Sequence, residues 1–179
     1  MTRPKHRTKP GGTYFVTTDT WQRQRIFQNR EAARIVEDTI CRYRDEGFFF
    51  VHRHVVMPEH LHVILTPGEE TTLEKAMQLI KGGSSHEIGK SLSRRFPVWH
   101  AGFTEHQIRD HKDFDAHVRY IDQNPVKEHL AGRPGDYPYC SAYGKLRPDP
   151  WPVASGAKAQ EEAGAASAGL KPRPSLAGK

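Results

Sequence analysis

Met57-Pro58-Glu59-His60-Leu61-His62-Val63-Ile64-Leu65 is the stretch around which the chain is organised. It reads as a strand. Side chains alternate across a strand, so His60 and His62 share one face. Leu61, Val63 and Leu65 share the other and point into a core. The leucine between the histidines anchors the strand that presents them. Two imidazoles side by side on a rigid element are the beginning of a divalent metal site. Eleven histidines among 179 residues also allow a His-x-His spacing by chance. A second one, His52-Arg53-His54, lies just upstream. The downstream residues decide between these readings.

Working outward, Phe48-Phe49-Phe50-Val51 opens a strand that continues to Val56. Pro58 breaks it, so the two strands form an antiparallel pair with a tight turn, and the His60 strand is expected to be central. Upstream, Asn29 caps a helix running to about Glu46. Ala32, Ile35, Val36, Ile40 and Tyr43 recur there at helical spacing, and Gly47 ends the run. Tyr14-Phe15-Val16-Thr17-Thr18 reads as the first strand. Trp21 to Arg25 is a polar loop. Downstream, Thr71 or Thr72 caps a helix with the stripe Leu73, Ala76, Met77 and Ile80. Gly82-Gly83 is expected to stop it, and Ser84-Ser85-His86-Glu87 to open a separate short helix. Phe96 to Ile108 reads as strand plus turn, with Trp99 packed on the sheet. Asp113 is expected to cap a helix from Phe114 to Asn124, ended by Pro125. Phe114, Val118 and Ile121 form its buried stripe; His117, Tyr120 and Asn124 form a separate polar one.

The order β-α-β-β-α-(α)-β-α implies an α+β fold, an antiparallel sheet with helices packed on one face. Residues 1–12 read as a flexible basic arm and 13–146 as one domain. Residues 147–179, rich in Ala, Gly, Pro, Ser and Lys without periodicity, read as a disordered tail. The net charge of +6 suggests a polyanionic partner, most simply nucleic acid. Candidate phosphate contacts are Lys5, Arg7, Lys9, Arg23, Arg25, Lys81 and Arg109. Lys81 lies at an expected helix junction whose backbone N–H groups suit a phosphate. Cys41 and Cys140 have neither metal-type spacing nor a disulfide framework, so a reducing cytoplasm is the expected location. No apolar run reaches membrane-spanning length, and the N-terminus lacks a signal peptide's apolar segment.

Met57 to His62 followed by Tyr120-Ile121-Asp122-Gln123-Asn124-Pro125-Val126-Lys127 resembles the single-tyrosine HUH transposases, and most narrowly the REP-associated tyrosine transposases. Tyr14 to Thr17, Trp99 to Phe103, Ile108-Arg109-Asp110 and Asp136 to Ser141 fit the same pattern. The resemblance runs from about Gly12 to Lys145. It implies a ferredoxin-like, RRM-like sheet with the HUH strand central. It implies Tyr120 as the nucleophile on single-stranded or hairpin DNA, with a 5′-phosphotyrosyl intermediate. It also implies Mg²⁺ or Mn²⁺ held by His60, His62 and Asn124, and a bacterial nucleoid-associated protein. In some relatives the tyrosine comes from a partner subunit, so a homodimer stands beside a monomer. A free phenol has a pKa of about 10, so roughly one in a thousand is ionised at pH 7. Tyr120 therefore needs activation, and His117 is the candidate general base. Family members commonly carry Asn in place of Glu59 and His in place of Asp122. Glu59 is read on the opposite strand face from His60, and Asp122 off the Tyr120 stripe. Two other functions fit the same residues: a non-catalytic, domesticated nucleic-acid-binding relative, and a metal-dependent phosphodiesterase that uses water.

Overall fold

The computed structural model describes residues 11–93 and 97–151. Most of the expected basic arm and tail lies outside them. Strands β1 (Tyr14–Asp19), β2 (Phe49–Met57), β3 (His60–Pro67) and β4 (Thr104–Gln107) form one sheet in the order β2-β3-β1-β4. Every neighbouring pair is antiparallel. Helices α1 (Arg30–Asp45), α2 (Leu73–Ser91) and α3 (His111–Lys127) complete the fold. This is the expected ferredoxin-like α+β sheet, and the HUH strand is an interior one.

The alternation of β3 explains the layering. Leu61, Val63 and Leu65 are fully buried in one cluster with Ile35, Val36 and Ile40 of α1 and Leu73, Met77 and Ile80 of α2. Ile64 belongs to a second cluster on the opposite face, with Val55, Met57, Ile108 and Ile121. Helices α1 and α2 thus cover one face as expected, but α3, expected on that face too, takes the other, because its apolar stripe Phe114, Val118 and Ile121 packs with Ile64. His60 and His62 lie on the α3 face and are themselves buried.

A register shift between Val51 and Arg53 marks a bulge in β2. It turns His52 and Arg53 toward the same side, which ordinary alternation forbids. His52 Nε2 is 2.9 Å from Thr66 Oγ1, and Arg53 grips Asp122 of α3. His54 turns to the other face, where Ser141 Oγ and Glu37 Oε1 flank its ring at 2.8 and 3.1 Å. All three side chains of that chain of contacts are buried, so the upstream His-x-His pair is structural.

Four expectations need correction. Gly82-Gly83 does not stop a helix: α2 runs unbroken from Leu73 to Ser91. Gly83 lies where α1 crosses, and a Cβ there would meet Tyr43 Cε2 at 2.9 Å and Thr39 Cγ2 at 3.1 Å. Its smallness serves helix packing, while Ser84 donates to Ile80 O inside the same helix. Asp113 is not the cap of α3. Asp110 caps it, accepting from the Asp113 N–H at 2.8 Å. Pro125 does not end α3, which continues to Lys127. The tail does not begin at residue 147. Asp149 pairs with Arg44 and accepts from Val51 N–H at 2.7 Å. Trp151 stacks on Phe114 at 4.5 Å, with its rings within 7° of parallel, and its Nε1 donates to Thr13 Oγ1.

Candidate active site

The site forms where β1, β3 and α3 meet. Strand register sets Thr17 opposite His62 and Asp19 opposite His60. Thr17 Oγ1 lies 2.7 Å from His62 Nδ1 and fixes that ring, leaving Nε2 as its free nitrogen. The His60 and His62 rings meet edge to face at 4.5 Å. Burial pushes the His62 imidazole down to about 3, and nearby His60 and Arg23 push the same way. Burial also lowers His60, against the pull of Glu59. Both rings are therefore neutral at pH 7, the form that ligates a metal.

Helix α3 brings the second half. The Tyr120 ring sits edge-on to His62 at a centroid distance of 5.2 Å and to Phe15 at 5.8 Å. It is 41% exposed, so its hydroxyl-bearing ring is open to a substrate beside buried imidazoles. Asn124, one turn on, is buried, and its Oδ1 meets no hydrogen-bond donor among the described residues. His60 Nδ1 also lacks a hydrogen bond there. A buried amide oxygen without a donor is costly, and a cation would satisfy it. Two neutral imidazoles and an amide oxygen fit a divalent ion and leave positions open for phosphate oxygen or water.

Glu59 corrects the sequence reading. It belongs to the β2–β3 turn, so strand alternation does not govern it. Its Oε1 comes within 3.4 Å of His60 Nδ1 and 3.9 Å of Arg23. The carboxylate is at the site, not across the sheet from it. Asp122 is off the tyrosine stripe as expected. Its carboxylate takes two hydrogen bonds from Arg53, at 2.9 and 2.7 Å, and ties α3 to β2.

Among the basic candidates, Arg23 reaches the site. Its guanidinium bonds Asp19 Oδ1 at 2.9 Å and faces Glu59, yet its side chain stays 63% exposed. Gln22 and Arg23 both hold φ near 52°, a left-handed backbone that costs energy in residues other than glycine. The strained turn is fixed by Thr20, whose hydroxyl lies 2.6 Å from Gln24 O and 3.0 Å from Glu59 O. Arg25 is exposed and reaches Gln28. Arg109 is exposed at the start of α3. Lys81 is not at a helix start: it lies mid-helix, and its Nζ donates to the carbonyls of His100 and Gly102. Burial lowers its ammonium to about 8.

His117 lies on the same helix, its Nδ1 2.9 Å from the Asp113 carbonyl oxygen. The Phe15 ring contacts both it and His62, at 4.6 and 5.4 Å. Sequence reasoning missed Thr17 and Lys127. Lys127 holds its Nζ over the Tyr120 ring at 5.5 Å. Thr17 becomes readable only once strand register is known. Lys127 had a signal, since it stands seven residues after Tyr120 and so shares its helix face.

Residues 11–124 match the family model of IS200-like transposases. The chain is 28% identical over 144 residues to the REP-associated tyrosine transposase of Escherichia coli K12, a match spanning 80% of this chain and 84% of that one. Its fold is similar to the solved structure of a REP-associated tyrosine transposase bound to a REP hairpin. That match has a TM-score of 0.65 and 28% identity, and it covers 79% of this chain and 82% of that one.

Proposed function

The chain belongs to the IS200-like transposase family, and on that premise we propose that it cuts and rejoins single-stranded DNA through Tyr120. The observation that carries this reading is the exposed Tyr120 ring set edge-on to buried His62, itself 4.5 Å from His60. Tyr120 Oη attacks the scissile phosphorus and the P–O3′ bond breaks. The 5′-phosphate stays on the tyrosine, and the 3′-oxygen departs as a hydroxyl. Attack by that 3′-OH, or another, reverses the step, so strand transfer needs no ATP.

His60, His62 and Asn124 would hold a divalent ion, Mg²⁺ or Mn²⁺, whose positive charge would offset the charge that builds up on the phosphate. Thr17 orients the His62 ring through Nδ1, and the Glu59 carboxylate sets negative charge beside His60. Arg23, exposed beside them, binds the substrate's phosphate. The phenolic proton passes to His117, one helical turn before Tyr120. Lys127 supplies positive charge beside the ring. The DNA is a hairpin-forming single strand, a reading supported by the REP hairpin of the similar structure and by the +6 charge. The protein acts on the bacterial nucleoid in the cytoplasm. The catalytic domain reaches from Gly11 to Trp151, because the last of these residues pack against it. Tyr120 acts in cis, since its ring meets His62 of its own chain.

The test is incubation of labelled hairpin DNA with Mn²⁺ and wild type, Tyr120→Phe or His62→Ala, read on a denaturing gel. A slow covalent protein–DNA band in wild type alone is the expected result. Cleavage that persists in Tyr120→Phe without such a band would mean attack by water and overturn the tyrosine reading. Binding without cleavage across a panel of palindromes would identify a binding-only relative. Mixing Tyr120→Phe with His62→Ala restores no adduct if Tyr120 acts in cis; restoration would mean a shared dimeric site.

A further inference from the structure

We propose that His106, Asp113 and His117 form a second divalent-metal site, of the zinc class, that clips the tyrosine helix to the edge strand. The reading stands apart from the tyrosine chemistry above and needs none of its residues except His117. Its three ligand atoms come from two elements and lie within 4.8 Å of one another. His106 is on β4, opposite Phe15 in the register, and so faces α3. Asp113 and His117 are one turn apart on α3, the spacing at which two side chains on a helix converge on one point.

The contacts already have the outline of a coordination shell. His106 Nε2 is 2.9 Å from Asp113 Oδ2, and His117 Nδ1 is 3.1 Å from Asp113 Oδ1. The two imidazoles stack at 4.8 Å, 20° from parallel. Donors about 2.0–2.1 Å from a tetrahedral Zn²⁺ lie roughly 3.3 Å apart. Asp113 Oδ1 already lies 3.1 Å from both nitrogens, close to that spacing, and the two nitrogens lie within 4.8 Å of each other. Two imidazoles and one carboxylate suit zinc, or cobalt in its place, better than all-oxygen Mg²⁺. The side chains of His106, Asp113 and His117 are 40, 20 and 22% exposed, which admits an ion and leaves room for a water ligand.

Without an ion, His106 Nε2–H donates to the Asp113 carboxylate, while His117 Nδ1–H donates to the Asp113 backbone carbonyl and lies 3.1 Å from the carboxylate. Loading the ion requires a lone pair at each of those nitrogens. A neutral ring moves its hydrogen to the other nitrogen; a cationic ring releases a proton to solvent. In the loaded state the His117 hydrogen sits on Nε2, so that ring no longer accepts the tyrosine's proton. The clip fixes α3 and at the same time withdraws the base.

The experiment uses the full chain carrying His60→Ala and His62→Ala, which removes the first site. Titration with Co²⁺, read by visible absorption, is expected to reach one ion per chain with tetrahedral bands. Adding His106→Ala and Asp113→Ala is expected to abolish the bands. Bands that survive this change, or that never appear in the first double variant, overturn the proposal. Circular dichroism on every variant separates loss of the site from loss of fold. As a second readout, Zn²⁺ is expected to raise the melting temperature of the first double variant and not of the quadruple one.

Discussion

Thr17 positions His62 through one 2.7 Å hydrogen bond, and valine is its near-isostere without the hydroxyl. Thr17→Val is expected to lower Mn²⁺ affinity by about 10–100-fold, the usual effect of removing a partner behind a metal-bound histidine. Calorimetric titration checks this, and the melting temperature should barely move, since valine suits a strand. Glu59→Gln keeps shape and removes charge beside His60. It is expected to weaken metal binding while strengthening hairpin affinity at low salt, as an anion leaves the DNA-facing rim. Calorimetric titration with Mn²⁺ reads the first effect, and gel-shift titration at two salt concentrations reads the second. At this scale the sequence was most legible where period alone decides. His60 and His62 share a face by strand alternation, and Tyr120 and Asn124 follow from helical spacing. Glu59 was misread because a turn residue escapes alternation. The Arg53–Asp122 pair escaped because a bulge reversed the facing of Arg53.

At the scale of elements, α2 carries two adjacent glycines with opposite consequences. A Cβ on Gly82 meets nothing within 4 Å, whereas one on Gly83 meets Tyr43 at 2.9 Å. Gly82→Ala is expected to stabilise the protein by about 0.5–1 kcal/mol through helix propensity. Gly83→Ala is expected to destabilise it by about 1–3 kcal/mol, because α1 and α2 must part to admit the methyl. Urea denaturation of the two variants should give shifts of opposite sign. The sequence presents this pair as a stop signal, since glycine ends helices and Ser-Ser-His-Glu resembles a start. The long-range approach of Tyr43 is absent from any local window. Pro125 shows the same limit: proline disfavours a helix there, yet the chain holds one more turn against the sheet. Strands β1, β2 and β3 and helix α1, whose patterns are regular, were readable to within a residue or two, whereas β4 is only four residues of the longer stretch read as strand plus turn.

For the molecule as a whole, buried histidines govern the response to acid. His52 is held below its ordinary value by burial, with Thr66 and Asp149 on its two nitrogens. Its folded pKa is lower than its unfolded one, so the unfolded chain binds the proton first. The stability it supports is complete above about pH 6.5, falls as the pH drops below that, and levels off below the folded pKa. His60 and His62 act in the same direction. Each histidine steepens the fall by up to about 1.4 kcal/mol per pH unit. His52→Gln is expected to be less stable at pH 7.5 but to lose less stability between pH 6.5 and 5, as urea midpoints across that range will show. Ending the chain after Arg147 removes Asp149 and Trp151 and is expected to cost about 2–4 kcal/mol. The segment's composition hid its docking, because two anchoring residues make no period. Trp151 has one more consequence. Its indole lies flat on Phe114, the residue that opens the inward stripe of the tyrosine helix, whereas Trp21 and Trp99 belong to the other end of the sheet. With those two changed to phenylalanine, the chain keeps a single tryptophan, whose fluorescence would register in real time any change at that helix contact when DNA is added.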